Sequence, residues 1–284
     1  MIIEPHDEVF RMENVHLSYN GLVGTAFSKP RALSFFEDQE KDSNELITEA
    51  SLMLKRGETI CIGGPSGQGK SALLRVIAGL ARPTQGRLYY FGEFLPPERL
   101  TALEVAKRQV GFVFQNGALI SNLRVRDNIA LPLRYHKIGN QAEIDERINM
   151  AMDLMRVRSH ADLFPHMLSA GIQKRVAIAR SWAMDPKLLL MDEPTAGLDN
   201  YNRRNILPLI DNMRMLFKTS IIIVTHDLLI AKELNCNICF LHNKKLTEPG
   251  SFDYWAQSNT EISRELFRDM RNSPESPSIA RISG

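Results

Sequence analysis

The sequence predicts an α/β fold built on a parallel sheet. Three observations carry this. Short apolar runs of strand length, "ETICIGG", "QVGFVFQ", "PKLLLMDEP" and "TSIIIVTHD", recur along the chain. Segments of helical character lie between them, and strands that alternate with helices imply a parallel sheet. The first run passes through a glycine-rich loop straight into a stretch where Leu73, Leu74, Ile77 and Leu80 share one helical face.

Bulk properties narrow the function. The chain has 284 residues, enough for one large domain or two small ones, and its 44% apolar content is ample for a core. A net charge of +2 gives no ground for a nucleic-acid surface or a polybasic membrane anchor, so no nucleic-acid partner is expected. No apolar run approaches the ~20 residues of a membrane span. The opening "MIIEPHDEVFR" lacks a basic stretch followed by a long apolar one, and no signal peptide is expected. A membrane role would therefore run through a partner.

Taken in order, residues 8–19 alternate as a strand. Residues 21–44 hold glycines, a Lys-Pro and the acid-rich "SFFEDQEKDSNE"; they read as an exposed, mobile insertion, either a solvated loop or a docking surface. A strand around "EASLML" follows. From about residue 116 to 185 the texture is helical, with Ile144, Ile148, Ala151 and Met155 at helical spacing. Met150, Met152, Met155 and Met167 read as core filler. Cys61 reads as a small core residue. Cys236 and Cys239 form an isolated "CNIC" with no second pair nearby, leading into a strand pattern, "ICFLH"; this is weak ground for zinc or redox chemistry, and reduced structural thiols are expected. The Ser- and Pro-rich tail at 273–284 is expected to be flexible.

The glycine loop carries the first chemistry. Residues 64–71 fit G-x-x-x-x-G-K-[ST], between a strand and a helix. Glycines let the backbone turn its N–H groups toward a phosphate, and the helix N-terminus adds partial positive charge. Lys70 is expected to reach the β- and γ-phosphates and Ser71 to ligate Mg²⁺. Asp192 ends an apolar strand, where it can hold the water shell of that ion. Glu193 follows directly and fits a general base for an attacking water; a nucleotide kinase has no need of this second carboxylate. His226 ends the next strand and is a candidate γ-phosphate contact. The remaining histidines sit in no such setting.

These segments together resemble the ATPase subunits of ABC transporters over roughly residues 8–265. On that resemblance Tyr19 is the adenine-stacking aromatic, and Gly64, Pro65, Ser66, Gly67, Gln68, Gly69, Lys70, Ser71 and Ala72 form Walker A around the phosphates. Gln115 is the Q-loop glutamine, beside the γ-phosphate and Mg²⁺. Ser169 and Gly171 belong to the signature segment "LSAGIQKRVAIAR", Asp192 and Glu193 to Walker B, Asp199 to the D-loop, and His226 is the switch histidine. The implied fold is that of a P-loop NTPase, α/β, with a RecA-like parallel-sheet core, an N-terminal antiparallel β region and an inserted helical subdomain at about 116–180, all within a domain spanning 8–272. The implied cofactors are ATP and Mg²⁺. The implied assembly is a homodimer closed head to tail, each ATP lying between Walker A of one subunit and the signature segment of the other. The implied place is cytoplasmic, peripheral on the cytoplasmic face of the inner membrane, on an integral-membrane permease.

The chain departs from the family pattern twice. Ala170 and Ile172 make the usual LSGGQ into "LSAGI", although Ser169 and the N–H of Gly171 remain; a working but slower site is expected. Tyr19 also lies farther ahead of Gly64 than is usual. Within the family, "QNGALISNLRVRDNIALPLRYH" at 115–136 resembles the Mla/Mce-type phospholipid-transport ATPases, with Ile120 in place of a phenylalanine. That resemblance implies a permease of the same system and, through it and a small regulatory subunit, a periplasmic MCE lipid-binding protein. Other importer and lipoprotein-release ATPases share "N-x-A-L-P-L". A soluble ABC protein of DNA repair or translation usually carries two nucleotide domains or a long coiled coil, and this chain has neither. The apolar run at 117–120 either docks a permease helix or packs between strand and helices.

Overall fold

The structure is a computed structural model and describes residues 7–19 and 45–267. The expected insertion at 21–44 and tail at 273–284 lie outside the described residues.

Strands β1 (Glu8–Ser18) and β2 (Glu45–Lys55) pair antiparallel. Strand β3 (Thr59–Gly63) leads into the glycine loop and helix α1 (Lys70–Ile77). Strands β4 (Gln85–Tyr90) and β5 (Glu93–Leu95) complete an antiparallel sheet of order β2-β1-β4-β5. After helix α2 (Ala102–Lys107) and strand β6 (Val110–Val113) come three helices, α3 (Val125–Tyr135), α4 (Gln141–Leu154) and α5 (Ala170–Trp182). The chain continues through β7 (Leu188–Asp192), α6 (Asn200–Phe217), β8 (Ser220–Val224), α7 (Leu229–Glu233) and β9 (Asn237–His242). It closes with β10 (Lys245–Leu246), α8 (Phe252–Gln257) and α9 (Glu261–Leu266).

The second sheet has the order β10-β9-β3-β8-β7-β6. All pairs from β9 to β6 are parallel, and only β10 is antiparallel. The α/β parallel core and the N-terminal antiparallel region predicted above are both present. Parallel pairing aligns the carboxyl ends of β3, β8 and β7 along one edge, the place where open α/β sheets form ligand sites.

Both faces of the parallel sheet are covered, which is why its strands read as unbroken apolar runs rather than alternating ones. Ile60, Ile62, Leu190, Ile222 and Val224 face α1 and the antiparallel sheet, packing with Phe10, Leu54, Leu73 and Leu74. Their neighbours Cys61, Leu189, Met191, Ile221 and Ile223 face the helices, among Ile129, Ile148, Val176 and Ile206. A fully buried aliphatic side chain contributes about 1.5–3 kcal/mol relative to exposure, so the two layers fix the strand edge firmly.

Helix α4 starts at Asn140, whose side chain accepts from the N–H groups of Ala142 and Glu143 while Glu143 reaches back to the Asn140 N–H. Ile144, Ile148 and Ala151 point inward as their spacing predicts, and Met152 and Met155 are buried with them. Met150 and Met167 are exposed, against the expectation of core filler. Met150 lies two residues from both Ile148 and Met152, which puts it on the opposite side of the helix; Met167 sits in a short 3₁₀ turn, Pro165–Met167.

The two halves of "CNIC" face opposite sides of β9: Cys236 packs with the helical layer and Cys239 with the other. All three thiols are free and buried. Cys236 Sγ lies 3.5 Å from Cys61 Sγ, and the Cys239 thiol donates to the Cys61 carbonyl at 3.7 Å. Period-two alternation along the strand is what separates the pair.

Asn128 on α3 is fully buried and fixes the segment before its helix. Its Oδ1 accepts from the Ile120 N–H at 2.8 Å, and its Nδ2 faces the carbonyls of Ile120, Leu123 and Arg124 at 3.1, 2.9 and 3.2 Å.

Candidate functional site

The glycine loop emerges from the carboxyl end of β3. Gly69 caps α1 with φ 96° and no side-chain bond, and the first turn of α1 holds no acidic residue. The orphan N–H groups of a helix start are thus left without a side-chain cap, a cradle suited to an anion. Space dictates glycine at two loop positions. A Cβ on Gly64 (φ 137°) would meet the Leu241 carbonyl oxygen at 2.3 Å, and one on Gly69 would meet Leu46 at 2.8 Å. A Cβ on Gly67 meets nothing within 4 Å, but its φ of 83° still favours glycine.

Lys70 is buried, and its Nζ donates to the carbonyls of Gly64 at 2.7 Å and Pro65 at 2.8 Å. Burial pulls its pKa down, opposed by the charges of Glu193 and Asp192. Ser71 Oγ donates to Asp192 Oδ1 at 2.8 Å, joining the loop to the end of β7. Burial raises the Asp192 carboxyl, against that hydrogen bond. A hydroxyl and a carboxylate oxygen in contact beside the phosphate cradle are hard oxygen donors of the kind Mg²⁺ takes, so these residues fit the ion.

Glu193 is the most constrained of the group. Its φ of 47° lies in the left-handed region, rare for a residue with a side chain. Strain of this kind costs of order 1–3 kcal/mol and persists only where surroundings enforce it. Here the Glu193 N–H donates to the Val224 carbonyl at 2.9 Å, and the Lys174 ammonium donates to the Glu193 carbonyl at 3.1 Å. The carboxylate accepts from the Thr225 hydroxyl at 3.3 Å and from the His226 N–H at 3.0 Å, and His226 Nδ1 lies 2.9 Å from Oε1. The His226 ring is otherwise exposed, so one edge is pinned and the other is open.

Lys70, Ser71, Asp192, Glu193 and His226 therefore meet at the ends of three adjacent strands. Gln115 follows β6 with its side chain exposed; its carbonyl accepts from Lys174. Ser169 caps α5 by accepting from the Ile172 N–H at 3.4 Å. Gly171 lies against α6, where a Cβ would meet Asn202 Oδ1 at 2.5 Å. Asp199 caps α6 and accepts from Asn202 at its backbone N–H and side-chain amide. No hydrogen bond or ion pair among the described residues joins Ser169, Gly171 or Asp199 to the Lys70 group. Arg203 ties the start of α6 to the switch segment, with ion pairs to Asp227 at 2.7 Å and Glu233 at 2.8 Å. Tyr19 is exposed at the end of β1.

Sequence reasoning missed Lys174, Thr225 and Asn202. Lys174 left a signal: it lies on the stripe Gly171, Lys174, Ile178, Ser181, which is buried and otherwise without charge. Away from the glycine loop, a groove of about 840 Å³ opens between α2, β6 and α3, lined by Val105, Phe112, Phe114, Leu131, Tyr135 and Met184.

The ABC transporter family profile matches residues 47–196. The chain is 38% identical over 209 residues to the probable sulfate/thiosulfate import ATP-binding protein CysA of Chlorella vulgaris, covering 74% of this chain and 86% of that protein. It is 34% identical over 223 residues to the methionine import ATP-binding protein MetN of Haemophilus influenzae, covering 78% of this chain and 64% of that protein. It is 36% identical over 233 residues to the spermidine/putrescine import ATP-binding protein PotA of Thermotoga maritima, covering 81% of this chain and 60% of the relative. The chain thus spans less than two thirds of the MetN and PotA relatives. Among solved structures, the dimeric post-hydrolysis state of the ATP-binding cassette MJ0796 bound to ADP and Pi superposes with a TM-score of 0.70 at 27% identity, over 86% of this chain and 98% of that one. CbiO1 from Clostridium perfringens, part of the ABC transporter complex cbiONQ, gives 0.72 at 26% identity, over 93% and 92%. The chain belongs to the ABC transporter family, as an ATP-binding, ATP-hydrolysing subunit.

Proposed function

We propose that the chain hydrolyses ATP in a head-to-tail homodimer and that the energy drives transport through an integral-membrane permease. The observation that carries this is the meeting of Lys70, Ser71, Asp192, Glu193 and His226 on one strand edge, while Gly171 packs against the Asp199 helix and Ser169 caps its own helix instead. A site that holds the phosphate cradle, metal donors and base, with its signature segment elsewhere, is completed by a second subunit. The dimeric structure of the related cassette supports this.

The residues divide the work. Lys70 exchanges its two carbonyl partners for phosphate oxygens, and the loop N–H groups and the α1 N-terminus take the remaining charge. Ser71, Asp192 and Gln115 would hold Mg²⁺, which when bound would neutralise charge developing on the phosphates. Glu193 accepts a proton from the water that attacks the γ-phosphorus, and ADP leaves. His226 and Thr225 hold the Glu193 carboxylate toward that water. Tyr19 stacks on the adenine. Ser169, the Gly171 N–H and Asp199 complete the partner's site.

The permease docks in the groove beside Phe114, Leu131 and Tyr135, which are exposed apolar residues next to the Gln115 segment. The run at 117–120 supports packing more than docking: Leu119 packs on the core, and Ile120 is held through its backbone by Asn128. Docking on the permease would give the chain a peripheral place on the cytoplasmic face of the inner membrane; no helix among the described residues is long and apolar enough to cross a membrane.

For cargo, the 115–136 segment supports phospholipid transport with an MCE-type system. The named relatives act in sulfate, methionine and polyamine import, and they support solute import as the second reading. Co-purification with intact membrane subunits, followed by mass spectrometry of protein and lipid, separates the two. An MCE protein with enriched phospholipid supports the first; a solute-binding protein without lipid supports the second. A chain that hydrolyses ATP as a monomer and recovers no membrane protein contradicts the proposal.

A further inference from the structure

Helix α5 carries two cations that contact backbone rather than carboxylates. Lys174, one turn beyond Ser169, is buried, and its ammonium donates to the carbonyls of Gln115 and of Glu193, the latter at 3.1 Å. Arg180, two turns further on, donates to the carbonyls of Gly117 at 2.7 Å and Ala118 at 2.8 Å. Neither has an ion-pair partner among the described residues. Lys174 also lines a cavity of about 390 Å³ with Gln115, Ala170 and Gly197. A buried ammonium is costly unless hydrogen-bonded, and this one bridges two backbone oxygens on separate elements, the Glu193 carbonyl accepting also from the Ala196 N–H at 3.2 Å. One belongs to Glu193, whose φ of 47° must be held from outside.

We propose that Lys174 is a positioning residue that sets Glu193 and Gln115 of its own subunit according to the placement of the helix whose N-terminus meets the other subunit's ATP. The chain of contacts is short. Ser169 and Gly171 begin α5, Lys174 lies one turn along the same rigid helix, and its ammonium fixes the peptide that aims the Glu193 carboxylate. Closing the helix onto one nucleotide therefore brings the base of the other site into line. This rests on the reading that Ser169 meets the partner's ATP.

The test uses full-chain dimers in which one site is silenced by Glu193→Gln. In the cis dimer, one subunit carries Lys174→Met and its partner Glu193→Gln, so the surviving site holds the altered lysine beside its own Glu193. In the trans dimer, one subunit carries both changes and its partner is wild type, so the altered helix contributes only its N-terminus to the surviving site. The cis dimer should lose about tenfold or more in kcat with KM for ATP little changed, the trans dimer should match a control with Glu193→Gln alone, and Lys174→Arg should restore the cis dimer. Slowing of the trans dimer alone, of both alike, or of neither overturns the assignment. If Lys174→Met does not fold, as read by its thermal melt, Lys174→Gln takes its place in the same dimers with the same expected split. Ser169→Arg in the subunit facing the surviving site is the control for the trans reading. If that site still turns over, the dimer reading has failed; if it is silenced while the cis dimer runs normally, only the lysine assignment has.

Discussion

His226 Nδ1 lies 2.9 Å from Glu193 Oε1, and the His226 backbone N–H donates to the same oxygen at 3.0 Å. One residue thus grips the carboxylate twice. Glu193→Gln should keep ATP binding and lower turnover on the order of 10²-fold or more, since an amide cannot take a proton from water. His226→Ala leaves the backbone and Thr225 bonds and should lower kcat about tenfold or more, with KM little changed. Steady-state ATPase with a nucleotide-binding assay checks both. A Glu193→Gln protein hydrolysing at the wild-type rate removes Glu193 from the base role.

Asn128 is a stability residue. Asn128→Ala leaves the Ile120 N–H and three carbonyls without their side-chain partner in a part-buried setting, which should cost about 1–3 kcal/mol. Chemical denaturation reads this directly. An unchanged midpoint would mean that water replaces the amide at no cost.

Two aspartate substitutions separate docking from packing. Tyr135→Asp alters a side chain 75% exposed and should leave the melt and nucleotide binding unchanged while weakening recovery of the permease. Leu119→Asp buries a carboxylate against the core and should lower the melting temperature instead. If Tyr135→Asp co-purifies with the permease at wild-type yield, the groove is not the docking surface.

The three thiols should be silent in the folded protein. The Cys236 hydrogen bond and burial push the Cys61 thiol well up, and burial does the same for Cys239. A thiol held above its ordinary pKa supplies little thiolate. At pH 8 an alkylating reagent should modify the native protein at least about tenfold more slowly than the denatured one. Rapid modification of Cys61 without loss of structure contradicts its placement.

How much of this was legible in the sequence follows from which interactions are local. The glycine loop, Asp192 and His226 announce themselves because each ends an apolar strand, and the parallel order of those strands then brings them together. The alternation along β9 was equally readable, yet "CNIC" looks like a pair until period two is applied to it. The partners of Lys174 were hidden for a different reason: they are the carbonyls of Gln115 and Glu193, and a backbone acceptor leaves no mark on residue type. Asn128 was hidden likewise, since its partners are all main-chain atoms. Met150 and Met167 misled because composition does not say which side of a helix or turn a residue takes.

The central claim is that each ATP site is shared between two subunits, and mixing two inactive proteins tests it most directly. Subunits carrying Ser169→Arg are combined with subunits carrying Lys70→Ala, and ATP hydrolysis is followed. In a head-to-tail dimer the mixed species has one site with both lesions and one with neither. Half the dimers in an equal mixture are mixed, each with one of two sites intact, so activity should recover to about a quarter of wild type. A mixture no more active than either parent, with mixed dimers shown to form, would contradict the account.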